Sequence, residues 1–301
     1  MQWVKHMSRT AAVALVLLTC CVFVCSSPAA HAQSTGRIYG QLLDGSNKNA
    51  YLAGQRVTLQ MAQGNTASDL SSATTDGHGA YSFAGLSTGK TISYAMYIRY
   101  RGAQYTSTIV SLDTKPVQQV NLTVYEATTS MANIAIVRAT ILLHAADKQK
   151  GIVPVSELFI FRSLDSHTYV GSLDASNGKP NALRFSLPHT ARNVSLGKGF
   201  DGYTAIQVDS GFASNAAIPP GDSQFAFSFD MPYTASSYDF NYTVVYPTVI
   251  LTFLVSSGIQ ASSDTLTSQG PITSEQQTYN LLQAKTLLAN KEVHVQLDGL
   301  P

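Results

Sequence analysis

Apolar side chains recur at every second position through most of this chain. The stretch from Ala73 to Tyr105, ATTDGHGAYSFAGLSTGKTISYAMYIRYRGAQY, shows the pattern most fully. Ile92, Tyr94, Met96, Ile98 and Tyr100 share one face of a nine-residue run, and Ser93, Ala95, Tyr97 and Arg99 share the other. A period of two over that length predicts a half-buried strand. Asp76-Gly77 and Gly79 predict a tight reversal ahead of it, since glycine accepts positive φ and an aspartate can hydrogen-bond its own turn.

Shorter elements flank this stretch. Gly36–Leu43 reads as a first strand with Ile38 and Leu42 inward and Gly40 admitting another backbone. Arg56–Met61 points Val57, Leu59 and Met61 inward, and Gln63–Ser72 reads as a polar loop. Thr106–Leu112 and Val117–Tyr125 complete a set of about seven strands, the spacing of a sandwich.

Ala127–Asn133 reads as a seam. Beyond it Ile134–Leu143 and Ser156–Arg162 are predicted strands, with loops at Asp174–Asn181 and His189–Gly202. Phe225, Phe227, Phe229, Met231 and Tyr233 form one apolar stripe, and Tyr238, Phe240, Tyr242, Val244 and Tyr246 a second. Both belong to a core, and Thr234–Ser237 between them has the length of a hairpin connection. Val249–Val255 is apolar on both faces, as a central strand would be, and Val293, Val295 and Leu297 mark a last strand. Ser274–Leu288 carries a helix-start signal in Ser274 and Gln277, but its all-strand surroundings favour an irregular or extended segment.

Composition narrows the class. Charged residues make up 12% of the 301 residues, about half the usual ~25%, which suits a neutral extracellular β-protein. Residues 1–32 read as a secretory signal: Lys5 and Arg9, the apolar run Ala11–Cys25, then Ala30-His31-Ala32 as a cleavage site before Gln33. All three cysteines lie in that leader, so the remainder offers no disulfide, thiol nucleophile or thiolate ligand. Losing Lys5 and Arg9 takes the formal net charge from +1 to one unit negative, which gives no footprint for nucleic acid.

The segments GRIYGQLLDG, LAGQRVTLQ, TTDGHGAYSFAGL and VNLTVYE, with the tyrosine-rich strand before the last, carry a resemblance. Residues 36–126 resemble the carboxypeptidase regulatory-like domain, a transthyretin-like sandwich found in many secreted proteins. The resemblance implies a prealbumin-like fold and an accessory role without catalysis. The expected fold class is therefore all-β, with two or more tandem β-sandwich domains: a signal peptide at 1–32, a regulatory-like (prealbumin-like) β-sandwich domain at 33–128, and a second all-β, Ig-like sandwich region at 129–301, as one unit or two.

Chemistry is sparse. His78, His144, His167, His189 and His294 show no metal-ligand spacing, and no hydrolase, P-loop or dinucleotide motif occurs. Neither a catalytic residue nor a metal or other cofactor is expected. Asp76 reads as a turn residue and Asp69 as a loop acid rather than calcium ligands. A Lys–Asn crosslink of the kind found in similar adhesin domains would need a lysine on the first strand, where Arg37 stands, opposite Asn121. A hydrolase hidden in the second half would draw on Asp230, His189 and Asp209, and is the weakest reading.

The favoured chemistry is sugar binding, with aromatic rings on a solvated sheet stacking against sugar faces. Tyr39, Tyr97 and Arg99 point away from the inferred core and Tyr105 falls in a loop; these four are the candidate contacts. The expected partner is a polysaccharide or an envelope protein at the bacterial cell surface. Membrane association is expected only through an anchor that this chain does not itself show.

Overall fold

A computed structural model describes residues 35–176, 181–274 and 276–301. The expected leader lies outside the described residues. Within them the chain is all-β, built from several sheets, with no helix.

The first part contains β1 (Gly36–Asp44), β2 (Ala50–Tyr51), β3 (Arg56–Gln63), β4 (Thr66–Thr74) and β5 (Ala80–Leu86). It continues with β6 (Ile92–Tyr100), β7 (Ala103–Thr106), β8 (Val117–Gln119) and β9 (Leu122–Val124). One sheet centres on β1, with β5 antiparallel to it, β8 and β9 parallel, and β2 at its end. The other runs β4-β3-β6-β7, antiparallel throughout. Ile38, Leu42, Tyr81, Phe83 and Leu122 from the first sheet bury against Val57, Leu59, Tyr94, Met96 and Ile98 from the second.

Gly40 shows why that core closes. A Cβ there would sit 1.6 Å from the Val120 carbonyl oxygen, which already accepts the Tyr81 hydroxyl at 2.7 Å. The Asp76 turn forms as expected. Asp76 Oδ1 accepts the N–H groups of His78 and Ala80 at 2.9 and 2.8 Å, and Gly79 takes a φ of +68°.

Three local expectations need correction. Most of Gln63–Ser72 is strand, the edge β4, whose side chains are nearly all exposed and so leave no apolar period to read. Thr106–Leu112 is mostly irregular: after Thr106, the end of β7, it meets β6 through Ser107, bonded to Met96, and a Tyr94–Val110 bridge. Tyr105 is not in a loop. It lies on β7, 8% exposed, because Ala103 and Tyr105 continue the inward face of the sheet.

The second part contains β10 (Ala127–Thr128), β11 (Ile134–Leu143), β12 (Ile152–Ser163), β13 (Thr168–Tyr169) and β14 (Leu183–Ser186). Next come β15 (Arg192–Leu196), β16 (Ala205–Val208), β17 (Gly211–Ser214), β18 (Gly221–Pro232) and β19 (Ser237–Val244). The last strands are β20 (Thr248–Ser256), β21 (Gln260–Ser262), β22 (Thr267–Ser274), β23 (Gln277–Leu287) and β24 (Lys291–Asp298). Seven of them form one sheet in the order β15-β18-β12-β11-β20-β23-β22. Two three-stranded sheets, β14-β17-β16 and β19-β24-β21, share a hydrophobic core with it.

The two aromatic stripes are core, but they do not form a hairpin. β18 is already flanked by β12 and β15, so the chain crosses the core and β19 pairs with β24. Phe225, Phe227 and Phe229 thus face the core from one layer, and Phe240, Tyr242 and Val244 from another. Phe212 from β17 meets Phe227 edge-on at 4.9 Å and stacks on Phe185 from β14 at 5.0 Å. Within the ambiguous Ser274–Leu288 segment, Gln277–Leu287 is extended as β23, and β20 is central as its two apolar faces require.

The seam at 127–133 is tied down. β10 pairs in parallel with β13, Gln104 N–H donates to the Tyr203 hydroxyl at 2.8 Å, and Ala217 joins the first core.

Candidate functional site

The outward face of the β4-β3-β6 sheet holds an open groove of about 530 Å³ lined by Arg56, Thr58, Asp69, Ser72, Tyr97 and Arg99, among others. Strand alternation selects these side chains. Val57 and Leu59 turn into the core, so Arg56, Thr58 and Gln60 turn out. Met96 and Ile98 turn in, so Tyr97 and Arg99 turn out.

Register then sets the neighbours. Thr58 lies opposite Tyr97 on one side and Ser72 on the other, with Thr58 Oγ1 and Ser72 Oγ 3.2 Å apart. A β-bulge follows: Leu59 faces Ser71 but Gln60 faces Asp69, leaving Leu70 unpaired and 47% exposed. Bulges re-aim side chains, and this one brings Asp69 within reach of β6. The Tyr97 hydroxyl donates to Asp69 Oδ2 at 2.9 Å, and Gln60 Nε2 donates to Asp69 Oδ1 at 3.0 Å. The Tyr97 ring is thereby held with its oxygen fixed at the sheet edge.

Of the four candidate sugar contacts, the groove unites Tyr97 and Arg99. Tyr39 lies on the other sheet, where the Arg37 guanidinium already covers its ring at 5.3 Å. Tyr105 is excluded as a solvated contact by burial; its hydroxyl lies 2.7 Å from Thr168 Oγ1, inside the protein. The groove adds Arg56, Thr58 and Ser72 to them, the first two at outward positions that follow from the same alternation. Asp69 could be placed only by knowing the bulge.

A second groove, about 560 Å³, lies between β15 and β16 and is lined by His189, Val194, Leu196, Ile206, Asp209 and Phe212, among others. It brings His189 and Asp209 to one surface, but no hydrogen bond joins them among the described residues. Asp230 instead accepts Asn193 Nδ2 at 2.8 Å. The described residues contain no group of three or more His, Cys, Asp or Glu able to hold a metal ion.

No family model matches the chain and no curated protein matches it. Among solved structures it is similar to an M1 zinc metallopeptidase from Deinococcus radiodurans, with 4% identity and a TM-score of 0.34. A mutant of that peptidase carrying a Tyr-Ser-Ala substrate gives a TM-score of 0.33, also at 4% identity. In both cases the match covers 55% of this chain and 42% of the other. The chain therefore spans less than half the length of those proteins, and a likeness at this level shows neither a shared fold nor a shared chemistry.

Proposed function

We propose that this chain is an exported, non-catalytic module of the bacterial cell surface, and that its first sandwich, of the regulatory-like kind, binds polysaccharide. The observation that carries the reading is the groove on β4-β3-β6. A tyrosine ring fixed by Asp69 is bordered there by the hydroxyls of Thr58 and Ser72 and by two arginines. Sugars are recognised by this combination of an apolar ring face and a few fixed polar groups. Titration of purified chain against an array of soluble bacterial polysaccharides tests it. Tyr97→Ala is expected to weaken binding roughly tenfold, the upper end of what one aromatic contact supplies. A blank array with folded protein removes the reading.

A second reading, an accessory subunit docking an envelope enzyme or transporter, is favoured by the β15–β16 groove. Both strands are edges of their sheets, so unpaired backbone N–H and C=O groups line it beside the exposed apolar Val194, Leu196 and Ile206. Such edges take up extended segments of partner chains. A photo-crosslinker at Val194 in intact cells is expected to trap one protein neighbour; recovery of none counts against docking there.

A further inference from the structure

The polysaccharide reading leaves the charge of the groove unexplained. Going two residues back along β3 from Thr58 and two residues on along β6 from Tyr97 reaches Arg56 and Arg99. The strands are antiparallel and Thr58 with Tyr97 is their last pair; the same register carried on by two residues sets Arg56 across from Arg99, and both line the groove. Like charges facing each other across neighbouring strands repel.

Among the described residues no acid relieves the repulsion. Among the described residues neither guanidinium has a carboxylate within ion-pair distance, whereas Arg162 is held by Asp222 at 2.6 Å and Arg101 by Glu126 at 3.3 Å. Asp69, the acid of the same groove, has each oxygen engaged, one by Tyr97 and the other by Gln60. Gly202, at a φ of +78°, lies against Arg99 and Gln104. A Cβ there would stand 3.4 Å from Arg99 Nη2 and 2.8 Å from Gln104 Oε1, so a side chain would crowd the guanidinium.

Two arginines that line one groove without a carboxylate partner among the described residues, together with a fixed aromatic ring, make a seat for an anion carried on a ring. We propose that the groove selects carboxylated sugars: a uronate residue rests on Tyr97 while Arg56 and Arg99 together take its carboxylate. The two-residue step along the strand is about 7 Å, within the reach of an arginine side chain toward a substituent of a ring seated on Tyr97. Guanidinium suits this role because its planar fork pairs with both oxygens of a carboxylate. The proposal rests on the groove being a glycan site and adds the class of glycan.

The test is calorimetric titration of the purified chain with three oligosaccharides of matched length, one neutral, one uronate-containing and one sulfated. A fourth arm uses phosphatidylcholine vesicles with and without phosphatidylserine. Uronate binding is expected to exceed neutral binding at least tenfold at low salt and to weaken as salt rises. Arg56→Gln and Arg99→Gln should each abolish the advantage, and Lys285→Gln, remote on β23, should keep it. Thermal melts of the unliganded chain supply a readout independent of any ligand. Each arginine variant should melt above the parent at low salt, the difference closing in high salt.

Equal affinity for neutral and uronate sugars overturns the carboxylate assignment and leaves the glycan reading standing. Preference for sulfate over uronate, or for the anionic vesicles over every glycan, overturns it in favour of another anion. No binding in any arm overturns both proposals, and arginine variants that melt no higher than the parent remove the repulsion on which the inference is built.

Discussion

The Tyr105 hydroxyl and Thr168 Oγ1 lie 2.7 Å apart in a buried contact between β7 and β13. The same hydroxyl donates to the Tyr125 carbonyl at 3.2 Å, and burial pushes its pKa up. The pair joins the first core to the strand that pairs with β10, so it ties the two halves at the point where the sequence reads as a seam. Tyr105→Phe leaves Thr168 without this partner and is expected to destabilise the chain by about 1–2 kcal/mol. Thr168→Val should cost a similar amount, and the double variant less than the sum. Urea unfolding of the four proteins closes the cycle; strict additivity would show that the contact couples nothing.

Gly40 and Gly77 make opposite predictions from the same substitution. At Gly40 an added methyl meets the Val120 carbonyl at 1.6 Å, and the backbone of the β1 sheet must move to admit it. Gly40→Ala is expected to cost about 3 kcal/mol or more, or to abolish soluble expression. At Gly77 no atom lies within 4 Å and the φ is not positive, so Gly77→Ala should fall within about 0.5 kcal/mol of the parent. Denaturation midpoints of the two variants measured side by side decide it.

Asp76 holds its turn through a carboxylate that accepts two backbone N–H groups, and the Ala80 bond, then the His78 bond, draws its pKa below the usual range. A depressed folded pKa stabilises the fold above the unfolded value of about 3.9 and loses that contribution as pH falls through the folded value. Asp76→Ala should therefore melt below the parent at neutral pH, with the gap narrowing in acid. Melts from pH 7 down to strong acid follow the gap, and one that widens in acid would contradict the assignment.

What could be read in the sequence depended on whether a strand has one dry face. Ile38 and Leu42, the Ile92–Tyr100 run and the Phe225 and Phe240 stripes all alternate because core lies on one side, and each became a strand with the expected residues inward. β4 has no dry face, so Gln63–Ser72, most of which lies in it, carried no period and read as a loop. Tyr97 and Arg99 were legible as outward residues from alternation alone. Their neighbours Arg56 and Asp69 belong to other strands, and placing them required the register of β3 and the bulge at Leu70. The supposed hairpin failed for a related reason: alternation tells which face is buried and not which sheet a strand joins.

In β12 the structure shows an exception to the dry face. Val153, Val155, Phe159 and Phe161 face inward, and the position between them is Glu157, 1% exposed, between Ile141 and Phe227 on the flanking strands. Neither carboxylate oxygen has a hydrogen-bond partner among the described residues, and burial drives the pKa well above the ordinary value. A charge there would also face Tyr242, whose own pKa is raised first by burial and then by Glu157.

The sign follows from a raised folded pKa. The stability tied to Glu157 is fully present below its unfolded value of about 4.3 and is lost as pH rises through the folded value. Glu157→Gln has the same shape but cannot ionise, so it should match the parent near pH 4 and overtake it above that. The advantage should grow by up to about 1.4 kcal/mol per pH unit until the folded carboxyl itself ionises. Glu157→Met, which removes the unpaired polar group as well, should exceed the parent by about 1–3 kcal/mol even at pH 4. Urea unfolding from pH 4 to pH 9 measures both differences. A Glu157→Gln advantage that stays flat across that range would mean that the carboxylate is charged and partnered in the folded protein, through a cation or a rearranged Tyr242, and that β12 is not the dry strand its neighbours imply.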